Sequence, residues 1–240
     1  MTGRYFMTLR FILFPLAAIA APCKVMDKEK LKKYDHGRLL ISNHLSWMDI
    51  VYQIFWVPSF KRFLSKKENG NNKLLMRFLR DVGVIFVNRD KPELSSMREC
   101  IESLKSGKTL SLYPEGTRNR VSRELQPLHG GGALFALKGK AFVIPIAVHH
   151  KGKLFRRNYM GVGDPVDLSD LYERRLDESV LSEATERFRA GIQKTLDKLD
   201  AWVENKGWKT DKKRKRAEKL ALEKQYKAVK REYDKSTRCE

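Results

Sequence analysis

The sequence predicts an α/β protein: a mixed, largely parallel sheet flanked by helices, with an N-terminal membrane-associated helical segment and a basic helical C-terminal tail. Three observations carry the prediction. Between positions 38 and 166, short apolar runs alternate with longer stretches of helical spacing or length. Two of those runs are nearly apolar throughout, as strands covered on both faces are. Most of the polar residues with chemical potential lie just beyond the end of a run.

The elements follow in chain order. Residues 11–23 of "YFMTLRFILFPLAAIAAPCK" are thirteen uncharged residues, short of the roughly 20 that a spanning helix needs. Reaching that length means taking in Arg10, and Pro15 would kink the helix. With Arg10 snorkelling to headgroups, the segment is expected to lie in or dip into a membrane interface. A cleaved signal peptide, with "AIA" before Ala21 as its processing site, and a helix buried in a soluble fold are the rival readings. Residues 1–34 are therefore expected to be an anchoring segment, residues 35–208 the α/β domain, and residues 209–240 a basic tail, helical or partly disordered.

Within the domain, "RLLIS" (38–42), "VGVIFVN" (82–88), "TLSLY" (109–113) and "FVIPIAV" (142–148) read as strands. The stretches 47–57, 72–79, 93–105 and 131–137 read as helices between them. Pro145 inside the last run places that strand at a sheet edge or in a bulge. Residues 177–208 form an amphipathic helix with Phe188, Ile192, Leu196 and Leu199 at turn spacing.

The charge is unusual: 49 Lys and Arg against 29 Asp and Glu, a net +20. Such an excess points to a polyanionic partner, an anionic membrane surface or nucleic acid. Lipid accounts for both the charge and the apolar N-terminus, whereas nucleic acid accounts for the charge alone, and no recognised nucleic-acid module is present. Cys23, Cys100 and Cys239 are scattered, so neither a disulfide framework nor a metal-ligand pattern is expected. Residues Lys61, Arg62, Lys66 and Lys67 form a basic patch that could dock an acidic carrier.

The densest chemistry lies in "ISNHLSWMDI". On a continuous helix, His44 and Asp49 would stand roughly 140° apart, so they meet only if the chain turns between them. Asn43 and His44 follow the first strand, and Ser46 can cap a helix beginning at Trp47. "SWMD" fits a capping box, in which Asp49 reaches back to the helix entrance. The same geometry lets Asp49 hold one imidazole nitrogen and leave the other free to take a proton. Arg89 ends the "VGVIFVN" run, and Glu115, Gly116, Thr117 and Arg118 end "TLSLY". Parallel strands would gather these groups on one sheet edge, where open α/β sheets bind ligands. Two arginines near a glycine turn suit a phosphate.

These blocks, Asn43-His44-x4-Asp49, the segment from Gly83 to Arg89, Tyr113-Pro114-Glu115-Gly116-Thr117-Arg118 and Val143-Ile144-Pro145-Ile146, resemble the four motif blocks of the glycerolipid acyltransferase family. The likeness is greatest to its 1-acylglycerol-3-phosphate acyltransferase (PlsC-like) branch. The resemblance implies His44 as base and Asp49 as its orienting partner. It also implies substrate binding by Asn43, Arg89, Glu115, Gly116, Thr117 and Arg118. The implied reaction carries a fatty acyl group from acyl-CoA or acyl carrier protein to the free hydroxyl of a lysophospholipid, foremost 1-acylglycerol 3-phosphate, on the cytoplasmic face of a membrane. Another lysophospholipid, a lyso-aminolipid or glycerol 3-phosphate would keep the chemistry and change the acceptor. No metal and no cofactor beyond the thioester co-substrate is implied. Three positions depart from the family's habit: Leu45 for Gln, Tyr113 for Phe, and His129 for Lys.

"HGGG" at 129–132 resembles the oxyanion motif of esterases, but the Gly-x-Ser-x-Gly turn such enzymes need is missing. Those glycines are expected to permit close packing or ligand approach at a helix start. His149 and His150 are expected to be exposed.

Overall fold

The computed structural model describes residues 2–32, 37–57, 61–66, 77, 79–80, 83–87, 94–207 and 209. Its contacts divide the chain into two compact units, Met1–Asp200 and Ala201–Glu240. In the second, residues 201–204 are helical and, Lys209 apart, the basic tail expected at 209–240 lies outside the described residues.

The first unit is built on one sheet. Its strands are β1 (Cys23–Met26), β2 (Arg38–Ser42), β3 (Lys61–Lys66), β4 (Val84–Val87), β5 (Thr109–Leu112), β6 (Phe142–Val148) and β7 (Asn158–Val162). They lie in the order β1-β7-β6-β2-β5-β3-β4. All neighbours pair in parallel except β6 and β7, which are antiparallel. The helices are α1 (Thr2–Ala20), α2 (Met48–Trp56), α3 (Leu94–Lys105), α4 (Gly131–Gly139) and α5 (Glu178–Glu204). The expected mixed, largely parallel sheet flanked by helices is the observed one.

The apolar runs sit where their composition requires. Leu39, Leu40 and Ile41 of β2 are buried at the centre of the sheet, as are Val143, Ile144 and Ile146 of β6 beside it. On α5, Phe188, Ile192, Leu196 and Leu199 are all buried, so the helical spacing marked the core face. Helices α3 and α4 pack on each other. A Cβ at Gly139 would come within 2.9 Å of Leu104 Cβ, so a larger residue would push them apart. Gly132 packs likewise, with Leu112 Cδ1 and Phe188 Cε2 3.3 and 3.5 Å from the position of a Cβ.

Three strands escaped the sequence reading, and their composition explains it. β3 is "KRFLSK", which has no strand-like apolar run, yet Lys61 is fully buried because its Nζ donates to Val57 O at 2.7 Å. Lys61 therefore cannot join the basic patch expected there, and Arg62 is paired with Glu99 and Ser103. β1 falls inside the span expected as a membrane anchor, but it pairs with β7 in the sheet. β7, "NYMGV", is a short polar-apolar mixture.

Pro145 does not put β6 at an edge, since β6 lies between β7 and β2. The accommodation is on the segment that follows β7 instead. Ile146 faces Val162 and Val143 faces Val166, so two residues of β6 oppose three on the other side. Gly163 N and Val166 N donate to Pro145 O and Val143 O across this bulge, and no donor is required of Pro145.

One further expectation changed, and the cysteine reading held. Arg10 does not reach outward to headgroups: its guanidinium donates to Ile54 O at 2.9 Å and Phe55 O at 3.0 Å, at the end of α2. Cys23 is buried, and desolvation pushes its thiol well up, so it is an inert core residue. Among the described residues, no helix is long and apolar enough to cross a membrane. The helix expected at 72–79, and His36, Lys67, Arg89 and Cys239, fall mostly or wholly outside the described residues.

Candidate active site

Strands β2, β5 and β6 run side by side in parallel, so their carboxyl ends share one edge of the sheet. His44 lies two residues past the end of β2, and Glu115 three past the end of β5. The chain turns between His44 and Asp49, as the spacing requires, and Asp49 enters the first turn of α2.

Asp49 is fully buried and organises the turn. Its Oδ2 accepts from His44 Nδ1 at 2.9 Å and from the backbone N–H groups of Leu45 and Ser46, each at 2.7 Å. Its Oδ1 accepts from Ser46 Oγ at 3.0 Å. The capping box is thus half made. The acid reaches back to Ser46 N, but the Ser46 hydroxyl turns to the carboxylate and does not cap the helix. All four groups facing the Asp49 oxygens are donors, so both oxygens serve here as acceptors. A carboxylate only accepts, so His44 Nδ1 carries the proton and Nε2 is left as an acceptor. The opposite end of α2 is closed by Arg10 on two carbonyls and Lys61 on a third.

The backbone of His44 is held from the loop after β5. His44 N donates to Glu115 Oε1 at 2.7 Å, and His44 O accepts from Asn119 N at 2.7 Å. Glu115 Oε2 accepts from Gln126 N at 3.2 Å. Both oxygens of this buried carboxylate therefore face the protein's own N–H groups, and burial raises its affinity for a proton. Asn43 is buried and clamps β2 to β6 with both ends of its amide. Its Nδ2 donates to Val148 O at 3.0 Å and its Oδ1 accepts from Val148 N at 2.8 Å. Gly116 closes the tight turn through its N–H to Tyr113 O and has φ 70°, a conformation that favours glycine. Thr117 and Arg118 are exposed beyond it, and the Arg118 guanidinium makes no salt bridge to a described residue.

The structure thus brings His44, Asp49, Glu115 and Asn43 together and leaves Arg118 and Thr117 on the rim. Sequence reasoning missed four supports. The Tyr113 ring stacks on the His44 imidazole, with centroids 3.9 Å apart and planes 16° from parallel. Its hydroxyl accepts from Gln53 Nε2 at 3.3 Å, and Gln53 Oε1 accepts from Ser111 Oγ at 2.5 Å. Gln53 stands four residues after Asp49 and so shares its helix face, a signal present in the sequence. Asn119 folds its own loop by accepting from Val121 N and Ser122 N.

His149 and His150 are not an exposed pair. His149 Nε2 lies 3.5 Å from Asp200, and the two Nδ1 atoms are 3.1 Å apart. Burial, then the nearby His149, Arg156 and Arg123 charges, push His150 down to about 4. The fold therefore favours neutral His150: its stabilisation is complete above the ordinary value near 6.5 and is lost as pH falls from there through 4. Asp164, held at about 2 by Lys30 and Lys198, gives way only at lower pH. Melting temperature measured from pH 7 to pH 4.5 should fall less steeply in His150→Gln than in the wild type.

Comparison with known proteins agrees with this fold. A family model described as Acyltransferase matches residues 22–149, just over half of the sequence. The chain belongs to that acyltransferase family. A 1-acyl-sn-glycerol-3-phosphate acyltransferase of Streptococcus pneumoniae is 30% identical over 194 residues, covering 78% of this chain and 69% of the relative. One of Bacillus subtilis is 31% identical over 183 residues, covering 74% and 89%. The crystal structure of the 1-acyl-sn-glycerophosphate (LPA) acyltransferase PlsC from Thermotoga maritima shares the fold, with TM-score 0.58 at 22% identity over 80% of this chain and 78% of that one. Within the family, the protein falls in the PlsC-like branch and is an enzyme of that type.

Proposed function

We propose that the protein transfers a fatty acyl group from a thioester, acyl-CoA or acyl carrier protein, to the free hydroxyl of 1-acylglycerol 3-phosphate, forming phosphatidic acid at an anionic membrane surface. The observation that carries the mechanism is the 2.9 Å contact of His44 Nδ1 with Asp49 Oδ2, which turns Nε2 to the acceptor hydroxyl in this scheme. The relatives named above support the acceptor. A lysolipid hydroxyl is a poor nucleophile at neutral pH. His44 Nε2 takes its proton as the oxygen attacks the thioester carbonyl. The carbon–sulfur bond then breaks, and the imidazolium returns the proton to the departing thiolate. Asp49 stabilises the imidazolium between those steps, and no covalent acyl-enzyme is required. A base so placed contributes about 10²–10⁴ in rate.

Arg118, exposed on the rim past the Gly116 turn, binds the acceptor phosphate in this scheme, together with Arg89. Arg118→Ala should therefore raise the acceptor KM about tenfold, with a smaller change in kcat. An unchanged KM in steady-state assays removes Arg118 from the site. The reaction itself is tested by transfer from labelled acyl-CoA and from acyl carrier protein to a panel of lysolipids in anionic vesicles. Strong transfer to 1-acylglycerol 3-phosphate is expected. Transfer only to another lysolipid or to glycerol 3-phosphate moves the acceptor, and no transfer by folded, vesicle-bound protein overturns the proposal.

A further inference from the structure

α1 turns an apolar surface outward. Phe11, Ile12, Leu16 and Ile19 are between 65% and 83% exposed, and no charge occurs from position 11 to 23. At its end a second exposed element meets it, the loop between β6 and β7. Phe155 N donates to Ala20 O at 2.8 Å, tying the loop to the last turn of α1. Leu154 and Phe155 are 53% and 73% exposed at the loop's tip. The residues flanking them, Lys151, Lys153, Arg156 and Arg157, are exposed as well.

The backbone at this tip is strained. Arg156 N bonds Lys153 O at 3.3 Å, closing a tight turn, and Phe155 occupies its third position with φ 59°. That position belongs to glycine or asparagine, and a bulky aromatic there is an outlier. The fold gains no burial in return, since the ring stands in solvent. Strain held for a side chain that the folded chain does not use marks a functional contact.

The loop also reaches the catalytic turn. A Cβ at Gly152 would lie 2.5 Å from Met48 Cβ and 2.8 Å from Tyr52 Cε2, so the loop rests on the start of α2 beside Asp49. Trp47, at the entrance of α2, is 55% exposed.

We infer that the β6–β7 loop is a lipid-docking element. Leu154 and Phe155 enter the acyl region of an anionic bilayer beside α1, while the flanking Lys and Arg side chains bind headgroup phosphates. Trp47 stands at the headgroup level of the same surface. A bilayer is the occupant the surface fits. From Phe11 to Ile19 the α1 face offers no polar side chain for a protein to satisfy, and the loop surrounds an apolar tip with cations alone. If the protein acylates a lysolipid as proposed above, this docking sets the mouth of the His44–Asp49 pair at the depth of the acceptor headgroup.

The test is Phe155→Gly, which removes the ring and relaxes the turn. Partition onto vesicles of mixed phosphatidylglycerol and phosphatidylcholine should fall roughly tenfold or more, with melting temperature unchanged or raised. Lys153→Glu with Arg156→Glu should lose roughly fivefold per residue on the anionic vesicles and little on pure phosphatidylcholine. Turnover of Phe155→Gly should drop on vesicle-embedded acceptor and persist on a short-chain, water-soluble one. Wild-type partition by Phe155→Gly overturns the inference. So does a loss confined to acyl carrier protein binding, which would make the loop a protein dock. Absent turnover in every protein would instead strike the proposed reaction and leave the partition result standing.

Discussion

His44→Ala should lower kcat for acyl transfer by about 10³-fold while the protein still folds and binds vesicles. The size follows from what the substitution removes. Nε2 is the acceptor that the Asp49 bond leaves free, and the structure offers the acceptor hydroxyl no second base of comparable placement among the described residues. The fold should tolerate the change, because the backbone N–H and C=O of His44 keep their bonds to Glu115 and Asn119. The stack on Tyr113 and the Nδ1 donor to Asp49 Oδ2 are lost, but Oδ2 keeps the N–H groups of Leu45 and Ser46. Single-turnover rates beside thermal melts check both halves. A His44→Ala protein that retains a tenth of wild-type turnover would remove the histidine as base.

Asp49→Asn should act on rate and stability together. The amide cannot accept everything the carboxylate accepts: His44 Nδ1, Leu45 N, Ser46 N and the Ser46 hydroxyl all donate to it. If its oxygen keeps the two backbone donors, its NH₂ faces the Ser46 hydroxyl and the imidazole has lost its charge partner. If its NH₂ turns to His44, Nδ1 must become the acceptor and the proton moves to Nε2, the wrong tautomer for a base. Either way kcat should fall by about 10²–10⁴. A buried donor left without its partner costs about 1–3 kcal/mol besides, which a thermal melt will read. Ser46→Ala separates the two effects, since it deletes one donor to Asp49 and leaves the imidazole bond in place. It should lower the melting temperature modestly and turnover little. An Asp49→Asn enzyme with normal kcat and a lowered melting temperature would reduce the aspartate to a helix cap.

The helix-entrance contact and the imidazole contact of Asp49 looked like rivals in the sequence and are one arrangement in the structure. One oxygen, Oδ2, serves the helix entrance through Ser46 N and the imidazole through Nδ1. Glu115 shows the converse. Its place in a motif block implied a substrate contact, whereas its oxygens accept the N–H groups of His44 and Gln126 and hold the loop. Asn43 likewise clamps two strands at Val148.

The sequence by itself determined the central strands, the core face of α5 and the motif that places His44 and Asp49 within reach. These rest on local periodicity, on apolar runs that can only be buried, and on a spacing that forces a turn. The tertiary structure alone decided the rest, because each remaining feature depends on a partner far along the chain. Lys61 could sit in a strand because Val57 O receives its ammonium, and Pro145 could sit inside the sheet because the extra residue lies on the segment that follows β7. Arg10 turned from the headgroups to two carbonyls more than forty residues away. Charge and hydropathy say which groups need a partner; only the packed chain supplies it.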